Sequence, residues 1–213
     1  MIWRLLCATS ALIIGLGGPG WTNERTAGPG SQQRYARFAT IYGETLPPIG
    51  YVEFCERYEQ ECPSQSVRPR RVVLTAERWR QLTTVNENVN GQIRPVTDAE
   101  LHHVPEYWDF PTREGDCEDF VLLKRQYLIS MGWPKQALLI TVVLDENGDG
   151  HAVLTAVTDR GDFVLDNQRP RVEPWRSVPY RFLKRQSASN PNVWVSLDPN
   201  APPNSAPIAG RNR

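Results

Sequence analysis

Apolar side chains recur at helical spacing in the middle of the chain. Within residues 120–131 they are Phe120, Leu123, Tyr127, Leu128 and Met131. This spacing places them on one face of an α-helix. Gly132 supplies a natural stop, with Pro134 just beyond it. The helix is therefore predicted to begin near Asp116 and to carry Cys117 in its first turn.

A second helical pattern covers residues 74–89. Its apolar positions are Trp79, Leu82, Val85 and Val89. Thr75 is expected to cap the start of this helix and Gly91 to end it. Asn86 and Asn90 lie near its end, where asparagines usually serve as caps and turns, so they are predicted to have no catalytic role.

Irregular structure is predicted around these helices. Residues 47–50 are typical of a turn, and residues 51–71 of a charged connection. Residues 92–114 are expected to form a loop that carries His102 and His103. A loop of that length leading to a cysteine often lines a cleft.

The period of the pattern changes after the central helix. Residues 137–144, 151–157 and 162–167 are predicted strands separated by turns, with a further strand within 171–185 and a short one at 193–195. From residue 196 onward Pro, Asn, Ser and Ala dominate, which is typical of a disordered tail. The chain is thus expected to combine helices with a largely antiparallel sheet.

Composition and the N-terminal segment indicate the class of the protein and its location in the cell. The 24 basic and 24 acidic residues cancel, so no nucleic-acid footprint is expected. Arg4 followed by a short apolar run is typical of a secretory signal peptide, although an uncleaved anchor remains an alternative. The predicted organisation is a signal peptide at 1–20, a flexible leader at 21–45, a folded domain at 46–195 and a tail at 196–213, with a periplasmic location.

Cysteine usage singles out one thiol. Cys7 lies in the signal segment, and Cys55 and Cys62 are close enough to form a disulfide in an exported protein. Such a short loop would contribute roughly 2–3 kcal/mol. A metal half-site is the alternative, but no second ligand pair accompanies it. Cys117 is left as a free cysteine, for which catalysis is the leading explanation.

The second and third predicted strands supply partners for this thiol. If residues 158–161 close a hairpin, Val157 pairs with Asp162, and His151 then shares a face with Asp166. Cys117, His151 and Asp166 would form a nucleophile, a base and an orienting carboxylate. His102 and His103 are rival bases, but adjacent histidines in a polar loop are more often exposed.

Acids surround the cysteine in sequence. Asp116, Glu118 and Asp119 would raise the pKa of the thiol unless a histidinium or a bound cation offsets them. They are oxygen ligands of the kind that calcium takes. Considered without any relative, however, they are better explained as a helix cap and favourable first-turn charges.

A different acidic stretch, residues 145–150, matches the opening of an EF-hand loop. The glutamate that such a loop requires is replaced by Ala156, and the flanking segments are predicted strands. A simple turn is therefore the prediction there.

Several separated segments resemble one known family, in the family's order. They are Gly115–Asp119, Leu123–Arg125, Ile140–Val143, Gly150–Leu154 and Gly161–Asn167, with Arg78-Trp79, Val85-Asn86 and Glu106–Trp108 upstream. Over residues 50–195 the chain is similar to the bacterial transglutaminase-like cysteine proteinases, which include the LapG-type periplasmic proteases.

This resemblance implies a papain/transglutaminase-like α+β fold, with the nucleophile at a helix start packed on an antiparallel sheet. It implies Cys117, His151 and Asp166 as the triad, and calcium bound by Asp116 and Glu118, with Asp119 as a further candidate. It also implies a large surface adhesin as substrate, cut in its N-terminal region, and an inner-membrane cyclic di-GMP receptor as a restraining partner.

The predicted function is an exported cysteine endopeptidase. A transglutaminase or an amidase would use the same chemistry with another acceptor, and incorporation of a labelled amine would identify a transferase. A non-catalytic binding module of the same fold is the third hypothesis, and failure of a thiol-directed probe to label Cys117 would favour it.

Overall fold

A computed structural model describes residues 37–63, 66 and 68–201. The predicted signal peptide and most of the predicted tail lie outside the described residues. Within the described ranges, no helix is both long and apolar enough to cross a membrane.

The described residues contain four α-helices, and the last of them begins at Cys117. They are α1 (Ile49–Arg57), α2 (Ala76–Gln92), α3 (Asp98–Leu101) and α4 (Cys117–Ser130). Thr75 caps α2 as predicted, because its hydroxyl accepts from the Arg78 amide at 3.1 Å. Gly132 ends α4 as predicted, in a left-handed conformation with φ of +82°.

The described strands form one seven-stranded sheet and one small pair. In chain order they are β1 (Glu44–Thr45), β2 (Arg94–Pro95), β3 (Glu114–Gly115), β4 (Leu138–Leu144), β5 (Gly150–Thr158), β6 (Gly161–Leu165), β7 (Glu173–Pro174), β8 (Arg181–Gln186) and β9 (Trp194–Ser196). The large sheet is antiparallel throughout, in the order β1-β9-β8-β4-β5-β6-β7, and β2 pairs with β3 in parallel.

Helix α4 packs against α2 and against the central strand β5. The main core lies between them and includes Leu82, Leu128 and Leu154, all fully buried. A second apolar cluster, which includes Val153 and Trp175, covers the other face of the sheet. Strands β4 and β5 are buried on both faces as a result, and their sequences are therefore nearly continuous runs of apolar residues. This is the predicted α+β fold.

Several boundaries differ from the sequence prediction. Gly91 does not stop α2, which continues to Gln92 because the Ile93 amide still donates to the Val89 carbonyl. The predicted turn at 47–50 instead leads directly into α1, with Pro48 as the cap residue. The predicted loop at 92–114 contains α3, which is stabilised by a capping box between Thr97 and Glu100.

The ordered domain also extends beyond its predicted limits of 46 and 195. Residues 37–45 were predicted as part of a flexible leader, but Ala39 donates to Asp162 at 3.0 Å and β1 pairs with β9. At the other end, Leu197 and Asp198 are buried rather than part of a loose tail. The backbone hydrogen bonds of the outermost strands fix both segments.

Candidate active site

Cys117 is the first residue of α4 and is buried, with only 2% of its surface exposed. Its thiol donates to Glu118 Oε2 at 3.0 Å and accepts from the Ala152 amide at 3.4 Å. The helix start thus holds the sulfur against β5, directly beside the strand position of His151. Among the described residues, the thiol donates to Glu118 rather than to His151.

His151 and Asp166 meet as the hairpin register predicts. Val157 pairs with Asp162 and Leu154 with Leu165. His151 lies three residues before Leu154, and Asp166 directly follows Leu165, so the two side chains approach one another. His151 Nε2 lies 2.8 Å from Asp166 Oδ1. Because Nε2 donates to the carboxylate, Nδ1 is the ring nitrogen that can accept a proton. The side-chain nitrogen Nε2 of Gln168 lies 3.5 Å from that atom, whereas the backbone amide of Gln168 is directed at Asp166.

The Asp166 carboxylate has two further donors. The Tyr180 hydroxyl donates to Oδ2 at 2.5 Å, and the Gln168 amide donates to Oδ1 at 2.9 Å. Burial alone would raise the pKa of Asp166, but the hydrogen bond and charge of His151 and the Tyr180 hydroxyl hold it below its usual value. Asp166 is therefore ionised and suited to orient an imidazole ring.

The main chain of Asp166 is held by the two asparagines of α2 that were predicted to be caps. Asn86 Oδ1 accepts from the Asp166 amide at 3.0 Å, and Asn90 Nδ2 donates to the Asp166 carbonyl at 2.8 Å. The available signal was their spacing, because side chains at i and i+4 lie on one helix face. Tyr180 and Gln168 carried no comparable signal in the sequence.

The acids around the cysteine form a buried cluster that includes one unpredicted member. Oxygen atoms of Asp116 and Glu118 lie within 4.8 Å of each other and of the thiol, and oxygens of Asp98, Asp116 and Asp119 form a second such group. Asp98 is the first residue of α3, within the segment that was predicted to be a loop. Both groups share Asp116, so the four acids are neighbours in the fold.

The cap interpretation of these acids does not match their contacts. Asp116 occupies the cap position, yet its side chain makes no cap hydrogen bond. Both of its carboxylate oxygens, Glu118 Oε1 and Asp98 Oδ1 are buried without a hydrogen-bond partner in the described part of the chain. Buried carboxylate oxygens left unpaired are costly unless a cation or a proton satisfies them. The cluster could hold a hard cation such as calcium.

Burial and mutual repulsion raise the pKa values of these carboxyl groups. The pKa of Asp116 is about 7, mainly through desolvation, and that of Asp119 is about 9, through desolvation and the charge of Asp116. Burial and Asp116 raise the pKa of Glu118 well above its usual range. Burial, followed by the charges of Glu118 and Asp116, likewise raises the pKa of the Cys117 thiol. The predicted conflict between acids and thiolate is therefore present.

The alternative site residues lie elsewhere. His102 and His103 are exposed, and the His102 ring packs against Tyr107 at 4.6 Å. The acidic stretch at 145–150 is a turn, because Asp145 Oδ1 accepts from the amides of Asn147 at 2.8 Å and Asp149 at 3.0 Å. The Asp145 carboxylate is thus hydrogen-bonded to the backbone of its own turn.

Cys55 and Cys62 form the predicted disulfide. It joins the end of α1 to the turn that carries Glu61, which lies 3.8 Å from the buried Arg125 of α4. The bond therefore fixes α1 to a turn that is ion-paired with α4. Cys117 is the free cysteine among the described residues.

Comparison with known proteins assigns the family. A model of the bacterial transglutaminase-like cysteine proteinases matches residues 41–202. The chain belongs to this family. The protein is accordingly a cysteine protease of transglutaminase-like fold, and a protease acts on a protein substrate.

Solved structures similar to this protease include LapG from Legionella pneumophila. That protein is 26% identical over 54% of this chain and 67% of its own, with a TM-score of 0.46. Its calcium-bound form is 23% identical over 61% and 72%, respectively, with a TM-score of 0.47. A comparison with curated proteins finds no match to the protease.

Proposed function

We propose that this protease is an endopeptidase in which Cys117 is the nucleophile, His151 the general base and Asp166 the orienting acid. The observation that carries the proposal is the 2.8 Å hydrogen bond between His151 Nε2 and Asp166. This bond leaves Nδ1 as the proton acceptor. The next residue of the strand, Ala152, donates its amide to the Cys117 sulfur. A free thiol at a helix start completes the arrangement.

The reaction proceeds by acyl transfer. The Cys117 thiol turns from Glu118 and gives its proton to His151 Nδ1, and the thiolate attacks the peptide carbonyl. The first amide groups of α4, which lack helical partners, stabilise the oxyanion. The C–N bond then breaks, and the amine leaves with the proton from His151. Water, deprotonated by His151, hydrolyses the thioester and regenerates the thiol.

Asp166 accepts from the imidazole Nε2–H throughout these steps. It keeps the ring in the tautomer whose Nδ1 is a base, and it stabilises the imidazolium after proton transfer. Tyr180 and Gln168 keep that carboxylate ionised and aimed.

Calcium is the proposed cofactor, held by Asp116 and Glu118 with support from Asp98 and Asp119. The unpaired buried oxygens of this cluster support it, since calcium takes six to eight oxygen ligands in a flexible shell. When bound, the ion supplies positive charge that offsets the carboxylates beside the thiol.

The proposed substrate is the N-terminal region of a large surface adhesin, whose release would free cells from a biofilm. The proposed location is the periplasm, reached through the signal peptide at 1–20, and the proposed regulator is an inner-membrane receptor for cyclic di-GMP. Membership of the family supports these assignments, together with the signal-like N-terminus.

The test is to incubate the mature protease with surface and periplasmic proteins of its own host. Mass spectrometry of shortened proteins and of their new N-termini identifies the cut. We expect one large surface protein to lose its N-terminal region with wild type, and neither Cys117→Ala nor His151→Ala to cut it. His102→Ala is the matched control and should keep full activity.

Two results would oppose the proposal. Cleavage by Cys117→Ala above about a tenth of the wild-type rate would show that Cys117 is not the nucleophile, since loss of the nucleophile should lower the rate much further. Efficient incorporation of a labelled amine in place of hydrolysis would make the protein a transferase.

A further inference from the structure

Asp166 lies one residue beyond β6, where the ladder no longer pairs its backbone. The last pair of the β5–β6 hairpin is Leu154 with Leu165. A backbone amide and carbonyl buried at such a point need other partners. Both partners come from α2, which is remote from this hairpin in sequence.

Asn86 and Asn90 divide this task between them. Asn86 Oδ1 accepts from the Asp166 amide at 3.0 Å, and Asn90 Nδ2 donates to the Asp166 carbonyl at 2.8 Å. Asn86 Nδ2 also donates to the carbonyls of Arg169 and Pro170, both at 3.2 Å. The loop that follows Asp166 is therefore attached to the same helix, and Asn86 is completely buried.

These contacts determine where the carboxylate points. With its amide and carbonyl both held, Asp166 keeps little freedom apart from its own side-chain torsions. Those torsions are fixed by donors from three other residues, His151, Tyr180 and Gln168. Helix α2 thus holds the backbone of Asp166, while His151, Tyr180 and Gln168 hold its carboxylate.

We propose that Asn86 and Asn90 are positioning residues for catalysis, which act through Asp166 on His151. The inference rests on the proposed triad. A catalytic group must be held within a fraction of an ångström, and the residues that hold it are themselves fixed by hydrogen bonds. Loss of either asparagine should let the carboxylate drift from Nε2 and weaken the base that activates Cys117.

Asn90 gives the cleaner test because it is half-buried and Asn90→Ala introduces a better helix former. The readout is the rate of alkylation of Cys117 by iodoacetamide at neutral pH with saturating calcium, followed by peptide mass spectrometry. Asn90→Ala should lower this rate roughly three- to tenfold, the value of one hydrogen bond. Asn88→Ala, an exposed asparagine on the same helix, is the control and should change nothing.

A double-mutant cycle separates positioning from general destabilisation. Asp166→Ala alone should lower the alkylation rate by more than about tenfold. Adding Asn90→Ala to Asp166→Ala should then cause no further fall, because the residue through which Asn90 acts is gone. An NMR measurement of the His151 imidazole N–H should show faster exchange with water in Asn90→Ala than in wild type.

Each outcome has a distinct meaning. An unchanged rate in Asp166→Ala would overturn the proposed triad itself. A reduced rate in Asp166→Ala with an unchanged rate in Asn90→Ala would overturn only the positioning role. The same fall from Asn90→Ala in both backgrounds would also overturn it, since the effect would then arise elsewhere.

Discussion

The hydroxyl of Tyr180 donates to Asp166 of the proposed triad, and its removal should lower activity. It lies 2.5 Å from Asp166 Oδ2 and helps to keep the pKa of that carboxyl low. Tyr180→Phe removes the donor and keeps the ring, so the pKa of Asp166 should rise. A protonated Asp166 cannot stabilise the imidazolium, and activity should fall about three- to tenfold, more at pH 5.5 than at pH 7.5.

Cleavage rates at those two pH values measure the effect. Tyr127→Phe, at an exposed position on α4, is the matched control and should leave both rates unchanged. A Tyr180→Phe protein with wild-type rates at both pH values would show that the remaining donors to Asp166 suffice.

The site was predictable from the sequence only where a local periodicity reports it. The strand period of two, combined with one short turn, brought His151 and Asp166 together correctly, and the helical spacing of the apolar residues placed Cys117 at the start of a helix. Asp98 and Tyr180 have no local signature of function, because only the tertiary fold brings them to the site. Asn86 and Asn90 were misread because cap-like residues at a helix end resemble polar residues that face a partner.

Two helical glycines with opposite surroundings allow a sharp test at the level of secondary structure. A Cβ on Gly50 of α1 would lie 2.5 Å from Trp108 Cδ1, whereas a Cβ on Gly91 of α2 would meet no atom within 4 Å. Gly50→Ala should destabilise the protein by about 1–3 kcal/mol through overpacking. Gly91→Ala should stabilise it by about 0.5–1 kcal/mol, because Ala favours the helix.

Urea unfolding midpoints distinguish the two variants directly. Each serves as the control for the other, since the chemical change is identical. A Gly50→Ala protein that is more stable than wild type would mean that helix propensity, and not contact with Trp108, decides the outcome at Gly50.

The helices and strands with strong periodicity were predicted well, and the others were not. Helix α1 was hidden because Pro47 and Pro48 precede it and because its own charges suggested a connection. Its buried side chains Tyr51 and Phe54 pack on aromatic rings that are remote in sequence, Trp108, Trp194 and Phe110. Helix α3 is a single turn, too short to show a period. Tertiary packing, which a local pattern does not contain, determines α1. The start of α3 did have a local signal, the capping box formed by Thr97 and Glu100.

The buried acids should make the stability of the whole molecule depend on pH. Asp116, Asp119, Glu106 and Glu118 all have pKa values above those of an unfolded chain, mainly because they are buried. Between pH 5 and pH 7 the folded protein therefore binds more protons than the unfolded one. Its stability without calcium should fall as pH rises through this window, by up to about 1.4 kcal/mol per pH unit for each group.

Calcium should reverse this trend, because it replaces the protons at the cluster. Thermal unfolding at pH 5 and pH 7, with calcium or after its removal by a chelator, tests this. Calcium should raise the melting temperature more at pH 7 than at pH 5, and magnesium should do so less well because it demands a tighter shell. The depressed pKa of Asp166 adds stability that is fully present across this window.

Asp116→Asn is the matched variant, since it removes the charge shared by both acidic groups without changing the shape of the side chain. It should flatten the pH dependence and abolish the calcium effect. A calcium-free wild type that gains stability from pH 5 to pH 7 would contradict the prediction, as would an undiminished calcium effect in the variant.

The pairing of β1 with β9 has a mechanical consequence. Glu44 lies opposite Val195 and Thr45 opposite Trp194, so the segment before β1 and the segment after β9 lie at the same end of one short ladder. A force that pulls these two segments apart would first break the contact of Ala39 with Asp162. It would then load the backbone hydrogen bonds of the β1–β9 ladder one after another, as in unzipping, rather than all at once. Strand β1 would peel away at low force, while β4, β5 and the cysteine helix, several strands inward, would remain folded.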